Sequence, residues 1–309
     1  MSDLVTQHPL LGASRSRLRQ ARAVATSYVM LTKPRVVELL LVTTLPAMIL
    51  AEGGLPHLGL IVAVLLGGGL AGGGANTVNC WLERDRDQKM NRTRNRPLPA
   101  GDVAPNGALA FGIILEVVAF ALLWATANLL AASLTLGAAV FYVFVYTIWL
   151  KPRTPQNIVI GGAAGAVPAL VGWAAVTGSL AAPAWVLFAI VFLWTPPHFW
   201  ALALRYRDDY AAAGVPMLPV VKGTDETVRQ ILIYSIVVTL ASLTLPLVST
   251  VGAIYLVAAV LLGVGFVAQA ERLRRNPTPE RAITLFVWSN TYLALLFAAV
   301  AVDVLVRAA

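Results

Sequence analysis

Apolar residues in this chain gather in long blocks separated by short polar joins. They show neither the stripe of an amphipathic helix nor the alternation of a half-buried strand. A helix needs about 20 mostly apolar residues to cross a hydrocarbon core. Blocks of that size fall at about 36–52, 58–82, 106–126, 128–149, 156–178, 184–204, 229–249, 251–270 and 282–305. Gly53-Gly54, Asn128, Pro152, Pro155, Gly178, Pro183 and Gly252 punctuate the joins. The stretches 106–149 and 229–270 are too long for one crossing, so each needs a turn. The pattern predicts an all-α polytopic membrane protein with nine transmembrane helices. Residues 1–30 hold Arg15, Arg17, Arg19 and Arg22 but no signal-peptide core. They read as a disordered cytoplasmic tail ahead of a membrane domain at 31–306.

Charge placement orients the spans. With nine crossings, 22 of the 23 Lys and Arg residues fall on one face and only Arg307 on the other. Basic loops stay cytoplasmic, so the N-terminus is expected inside a plasma or inner membrane and the C-terminus outside. The chain is 58% hydrophobic and 12% charged, against about 45–50% and 25% in a soluble domain. The net charge of +8 therefore belongs to membrane topology and does not indicate a nucleic-acid partner. A single cysteine, Cys80, excludes a disulfide framework or a Cys-rich metal site and reads as a small semi-buried filler. Outer loops are short, whereas the cytoplasmic connections 83–105 and 205–229 are long and hold most of the acidic residues, and chemistry is expected there.

The second span ends in Asn79, Glu83 and Asp87, spaced four apart and hence stacked on one helical face, stepping about 6 Å per turn. These hard oxygen donors suit Mg²⁺ shared with substrate phosphates. Lys89, Arg92, Arg94 and Arg96 follow at once and can neutralise diphosphate oxygens. The bland alternative is a charged helix end, but the stripe starts inside the span, where polar groups are costly. The sixth span ends similarly, with His198, Arg205 and Asp209 seven and eleven residues apart, within about 20° of one helical face. The two acidic ends, about 120 residues apart, echo each other weakly, as an internal duplication would. His198 reads either as a packing hydrogen-bonder or as a ligand, just after the helix-weakening pair Pro196-Pro197. The glycine runs Gly67-Gly68-Gly69 and Gly72-Gly73-Gly74, and Gly161, Gly162 and Gly165, read as close helix packing, not phosphate loops. Lys151 and Arg153 read as diphosphate contacts or headgroup anchors, and Glu38 and Glu116 as carboxylates near cytoplasmic helix ends.

Four segments carry a family resemblance: LTKPR (31–35), NCWLERDRDQKMNRTRNRPLPAG (79–101), YT-x2-LKPRTPQNIVIGGAAGAVPALVGW (146–173) and WTPPHFWALALRYRDDYAAAGVPMLPVV (194–221). Together they resemble the UbiA-type intramembrane prenyltransferases, most nearly the branch that makes haem O, over about residues 28–300. The resemblance implies nine helices around a central cavity open to the cytoplasmic side and laterally to lipid. It implies Mg²⁺-dependent transfer of a farnesyl group from farnesyl diphosphate to a vinyl group of haem b, which is substrate and not cofactor. Haem A synthase or oxidase assembly factors are implied as downstream partners. The family's first motif falls on Asn79, Glu83 and Asp87 as catalytic metal ligands. Its second falls on Arg205 and Asp209, with Asp208 available to complete that half-site. Arginine at the first acidic position departs from the wider pattern and favours the haem branch. Lys33, Arg35, Lys89, Arg92, Arg96 and Lys151 are the expected substrate contacts, with His198 toward haem iron or a propionate.

Two other functions compete. A prenyltransferase for a quinone precursor or chlorophyllide would share the fold and metal site but not the acceptor. A transporter would show polar groups at the midplane and broken helices in matching halves.

Overall fold

The structure, a computed structural model, describes residues 22–309, with the side chains of residues 35, 36 and 39–41 left out. It contains helices and no strands among those residues. The helices are α1 (22–31), α2 (Pro34–Glu52), α3 (Leu58–Asp87), α4 (Pro97–Ala100), α5 (Pro105–Thr126) and α6 (Leu129–Val140). A π-helical segment, Phe141–Leu150, prolongs α6. Then come α7 (Asn157–Thr177), α8 (Ala182–Arg205), α9 (Arg207–Ala212), α10 (Leu218–Val221), α11 (Gly223–Ser242), α12 (Leu245–Val248), α13 (Ala253–Arg275) and α14 (Pro279–Ala308).

Eight of these, counting α6 with its extension and α11 through α12, are long and apolar enough to cross a membrane. The predicted first span coincides with α2, whose described apolar part, Val42–Glu52, is shorter. Large apolar side chains such as Leu66, Val117, Trp124, Phe144, Trp149 and Leu261 stand exposed along the spans, as side chains facing lipid must. Helices α7 and α8 are the most enclosed spans. Neighbouring spans pack in chain order from α5 to α8, α8 meets α11, and α14 closes back on both α2 and α8.

Three expectations change. The segment expected as a disordered tail is helical from residue 22, and Tyr28 packs edge-on to Phe111 at 5.1 Å while Leu31 is buried beside Cys80. Residues 1–21 lie outside the described residues. Glu116 sits in the middle of α5, not near its end, and its Oε1 has no hydrogen-bond partner. The sixth span stops at Arg205, so α8 does not carry Asp209.

The glycines act through packing, as their placement predicts. A Cβ on Gly74 would stand 2.8 Å from the carbonyl oxygen of Gly112, so α3 and α5 touch backbone to backbone. Gly172 of α7 faces the carbonyl of Thr44 in α2 so closely that a Cβ there would overlap it. Since backbone cannot yield as a side-chain tip can, Gly172→Leu should cost more than the usual 1–3 kcal/mol of overpacking. A melting temperature in detergent lowered by several degrees is the expected result, and an unchanged one would show that α2 and α7 separate freely.

Candidate active site

Helix α3 runs well past the length a membrane crossing needs, and its last two turns carry the charged residues. Arg84 and Arg86 favour the C-terminal end of the helix dipole. The four-residue spacing places Asn79, Glu83 and Asp87 on one face, and all three are buried, with 1%, 4% and 4% of their surface exposed. Buried carboxylates need partners, and three cations from separate parts of the chain supply them. Lys33 Nζ donates to Asn79 Oδ1 at 2.7 Å. Lys151 Nζ donates to Glu83 Oε2 at 2.6 Å and also lies against Oε1. Arg96 Nη1 donates to Asp87 Oδ2 at 2.7 Å. Asn79 Nδ2 links the row by donating to Glu83 Oε2 at 3.0 Å and to Thr147 Oγ1 at 3.1 Å.

Local conformation aims each cation. Lys33 lies between α1 and α2 with φ 51°, a left-handed geometry that costs a non-glycine residue about 1–3 kcal/mol. The turn delivers its ammonium to α3. The π-helical segment delivers Lys151: its wider turn lets the Lys151 N–H donate to Tyr146 five residues back, and Thr147 Oγ1 to the Tyr142 carbonyl. Tyr142 and Tyr146 stack at 5.3 Å, with the Lys151 ammonium 5.8 Å from the Tyr146 ring. Arg96 returns because Thr93 Oγ1 donates to the Asp87 carbonyl at 2.9 Å, folding the loop over the helix end.

The surroundings treat the two lysines differently. Burial acts against both charges and holds Lys33 below the usual lysine range. At Lys151 the Glu83 carboxylate outweighs burial and holds the ammonium above that range. Three cations against two carboxylates leave the cluster positive.

The second predicted motif joins this end of the molecule by another route than a shared helical stripe. Tyr206 breaks the helix, and α9 carries Asp209 to the α3 loop, where Asn91 Nδ2 and the Arg92 N–H each donate to it at 3.3 Å. Arg92 also lies 5.4 Å from the Tyr206 ring and donates to Tyr210 Oη at 3.4 Å. The two long loops therefore meet. Asp208, Arg205 and Lys89 are exposed and outside the cluster, and the Arg35 side chain lies outside the described residues. Arg153 caps the π-helical segment by donating to the carbonyls of Ile148 and Trp149.

His198 points to α14. Its Nδ1 is 2.7 Å from Ser289 Oγ, and its ring stacks on Trp194 at 4.2 Å and on Phe286 at 4.4 Å. These contacts are the kind that the packing alternative expects. Sequence reasoning missed Thr147, Tyr142 and Tyr146, whose roles depend on the π-helical turn, for which the sequence holds no signal.

The chain matches the UbiA prenyltransferase family over residues 40–299. Protoheme IX farnesyltransferase from Salinispora tropica is 54% identical over 299 residues, 96% of this chain and 93% of that one. The protein of the same name from Frankia casuarinae is 53% identical over 290 residues, covering 92% and 99%. Among solved structures, a digeranylgeranylglyceryl phosphate synthase superposes with a TM-score of 0.75 at 17% identity, covering 91% of this chain and 98% of that one. A UbiA homologue from Archaeoglobus fulgidus bound to DMAPP and Mg²⁺ gives 0.60 at 17% identity, covering 89% and 99%.

Removing one member of a buried ion pair strands the other, so Lys151→Met should destabilise by about 3–5 kcal/mol. Adding Glu83→Gln should restore most of that loss, and melting curves of the single and double variants measure the coupling. For His198, replacement by Phe should lower the melting temperature while haem binding, followed in the visible spectrum, stays unchanged. Lost haem binding with an unchanged melting temperature would make it a ligand instead.

Proposed function

Because the chain belongs to the UbiA prenyltransferase family, we propose that it transfers a farnesyl group from farnesyl diphosphate to a vinyl group of protohaem IX, giving haem O. The observation that carries the reading is the convergence of Lys33, Arg96 and Lys151 on the oxygen stripe at the end of α3. The acceptor follows the name shared by relatives that are more than half identical over almost the whole chain.

The stripe fits a divalent cation. Asn79, Glu83 and Asp87 offer hard oxygens, and Glu83 Oε1 receives no aligned hydrogen bond despite its burial. These three would hold Mg²⁺, an ion that the Archaeoglobus homologue binds together with DMAPP, and the bound metal would supply charge neutralisation for the leaving diphosphate. Lys151 and Arg96 then turn their donors from the carboxylates, and Lys33 from the Asn79 amide oxygen, to the diphosphate oxygens. Lys89 and Arg92, on the loop beside the cluster, add positive potential at the mouth.

Ionisation breaks the allylic C–O bond, and the electron pair leaves with the diphosphate. The buried cations stabilise that charge where it develops, with little reorganisation. Tyr142 and Tyr146 present stacked π-faces beside the site, suited to an allylic cation, and the apolar helices exclude water from it. The vinyl π-electrons form the new C–C bond. Water adds to the resulting cation and releases its proton, so no dedicated base is required.

We place the cluster on the cytoplasmic side of a cell membrane, with α2 as a ninth span and the C-terminus outside, on the strength of the loop charges. Reporters fused in the 83–105 and 205–229 loops should both report the cytoplasm, and opposite sides would overturn this placement.

The direct test is expression in cells lacking haem O, with extracted haems analysed by mass. A farnesylated, hydrated haem is expected, whereas a prenylated quinone would move the acceptor to another class. In the same cells Asp87→Ala should insert normally yet lose turnover by several powers of ten, each tenfold being about 1.4 kcal/mol of barrier. Wild-type haem O production by that variant would remove Asp87 from the site.

A further inference from the structure

A cavity of ≈ 400 Å³ opens at the same end of the molecule, between the α7 start, α8, α10 and α11, and the reaction as described does not use it. Gln156, Lys222, Glu226 and Arg229 line it together with Trp200 and Tyr234. Gln156 and Lys222 are the N-caps of α7 and α11, and neither helix start has a side-chain cap. The residues that open both helices therefore line one cavity, and uncapped helix starts favour anions. Glu226 is neutralised by Arg229, which donates to its two oxygens at 2.8 and 2.9 Å. Lys222 is exposed and forms no ion pair among the described residues. A second observation is independent of these: Trp200 is 1% exposed, lines the cavity, and its indole N–H has no hydrogen-bond partner. A buried unpaired donor of this kind costs free energy that a bound acceptor recovers.

The cavity's lining combines polar and charged side chains with the aromatic rings of Trp200 and Tyr234. From Lys222 to Tyr234 is twelve residues of α11, about 18 Å at 1.5 Å per residue, and Tyr234 packs edge-on to Trp200 at 5.5 Å. The chain also limits its distance from the cluster on α3. Gln156 follows Lys151 by five residues, so the two cannot be more than about 18 Å apart even on an extended chain. That reach is of the order of a porphyrin's width, and the propionates lie on the edge of haem away from its vinyl groups.

We propose that this cavity binds the propionate-bearing edge of the haem acceptor, with Lys222, the Trp200 indole N–H and the two helix starts as the carboxylate-recognising groups. The proposal rests on the prenyl-transfer reading above. It makes Lys222 and Trp200 acceptor-binding residues distinct from the diphosphate cluster.

The test uses the purified full chain, with protohaem and its dimethyl ester as probes. The ester keeps the macrocycle and removes the propionate charges. Wild type should bind protohaem about tenfold more tightly than the ester. Lys222→Gln, on an exposed side chain, should keep the wild-type melting temperature and lose most of that preference. Trp200→Phe should weaken binding of the free acid while keeping the ring. Farnesyl diphosphate binding should be unchanged in both. If wild type binds haem and makes product but both variants discriminate acid from ester as wild type does, this inference fails and prenyl transfer stands. If wild type neither binds nor converts haem, the acceptor assignment fails and takes this inference with it.

Discussion

Everything at the candidate site depends on pairing charges that the fold has taken out of water. Glu83 and Asp87 sit almost fully buried at the end of a membrane-crossing helix, where a lone carboxylate would cost several kcal/mol or take up a proton. Lys151 and Arg96 prevent both, and Lys33 with Asn79 completes the row. The three cations come from the α1–α2 turn, the α3–α4 loop and the end of the α6 span, so the ion pairs also tie three connections together. The excess cation gives the cluster a net positive charge, as a site proposed to receive a diphosphate requires.

Such an arrangement demands a rigid frame. Helix α3 is fixed along its length by backbone contact with α5 at Gly74 and Gly112, and closely packed helices adopt discrete arrangements with little room to drift. The left-handed turn at Lys33 and the π-helical turn before Lys151 are both locally unfavourable conformations. Each persists where it delivers an ammonium to the stripe. Tyr142 stacks on Tyr146 beside the same point, with the Lys151 ammonium near the Tyr146 ring.

Much of the fold was legible because a bilayer imposes blunt rules. Span lengths follow from hydrocarbon thickness, and the nine predicted blocks overlap α2, α3, α5, α6 with its extension, α7, α8, α11 with α12, α13 and α14. The glycine runs read correctly as packing because a loop would have no place inside a span. The stripe Asn79-Glu83-Asp87 was legible from spacing alone, since one helix carries it. What failed crossed a helix end. Projecting Arg205 and Asp209 onto one face assumed that α8 continues, but Tyr206 turns the chain, and Asp209 finds its partners in another loop. The helix at 22–31 was hidden because it is too short to cross a membrane and its partners lie far off in sequence. Placing Glu116 near a helix end misjudged its depth by half a span.

The most direct test concerns the order in which the cluster accepts its ligands. With Glu83 and Asp87 already paired to Lys151 and Arg96, the proposed site would offer Mg²⁺ alone only neutralised ligands, and would free them when a diphosphate draws the cations away. Melting curves of the full chain should therefore rise little with Mg²⁺ alone or with unreactive farnesyl thiodiphosphate alone. Together the two should raise the curve by more than the sum of the separate shifts, because what binds the native state stabilises it in proportion to its free energy of binding. Strictly additive shifts, or full stabilisation by Mg²⁺ without the diphosphate, would contradict a site held ready by its own cations.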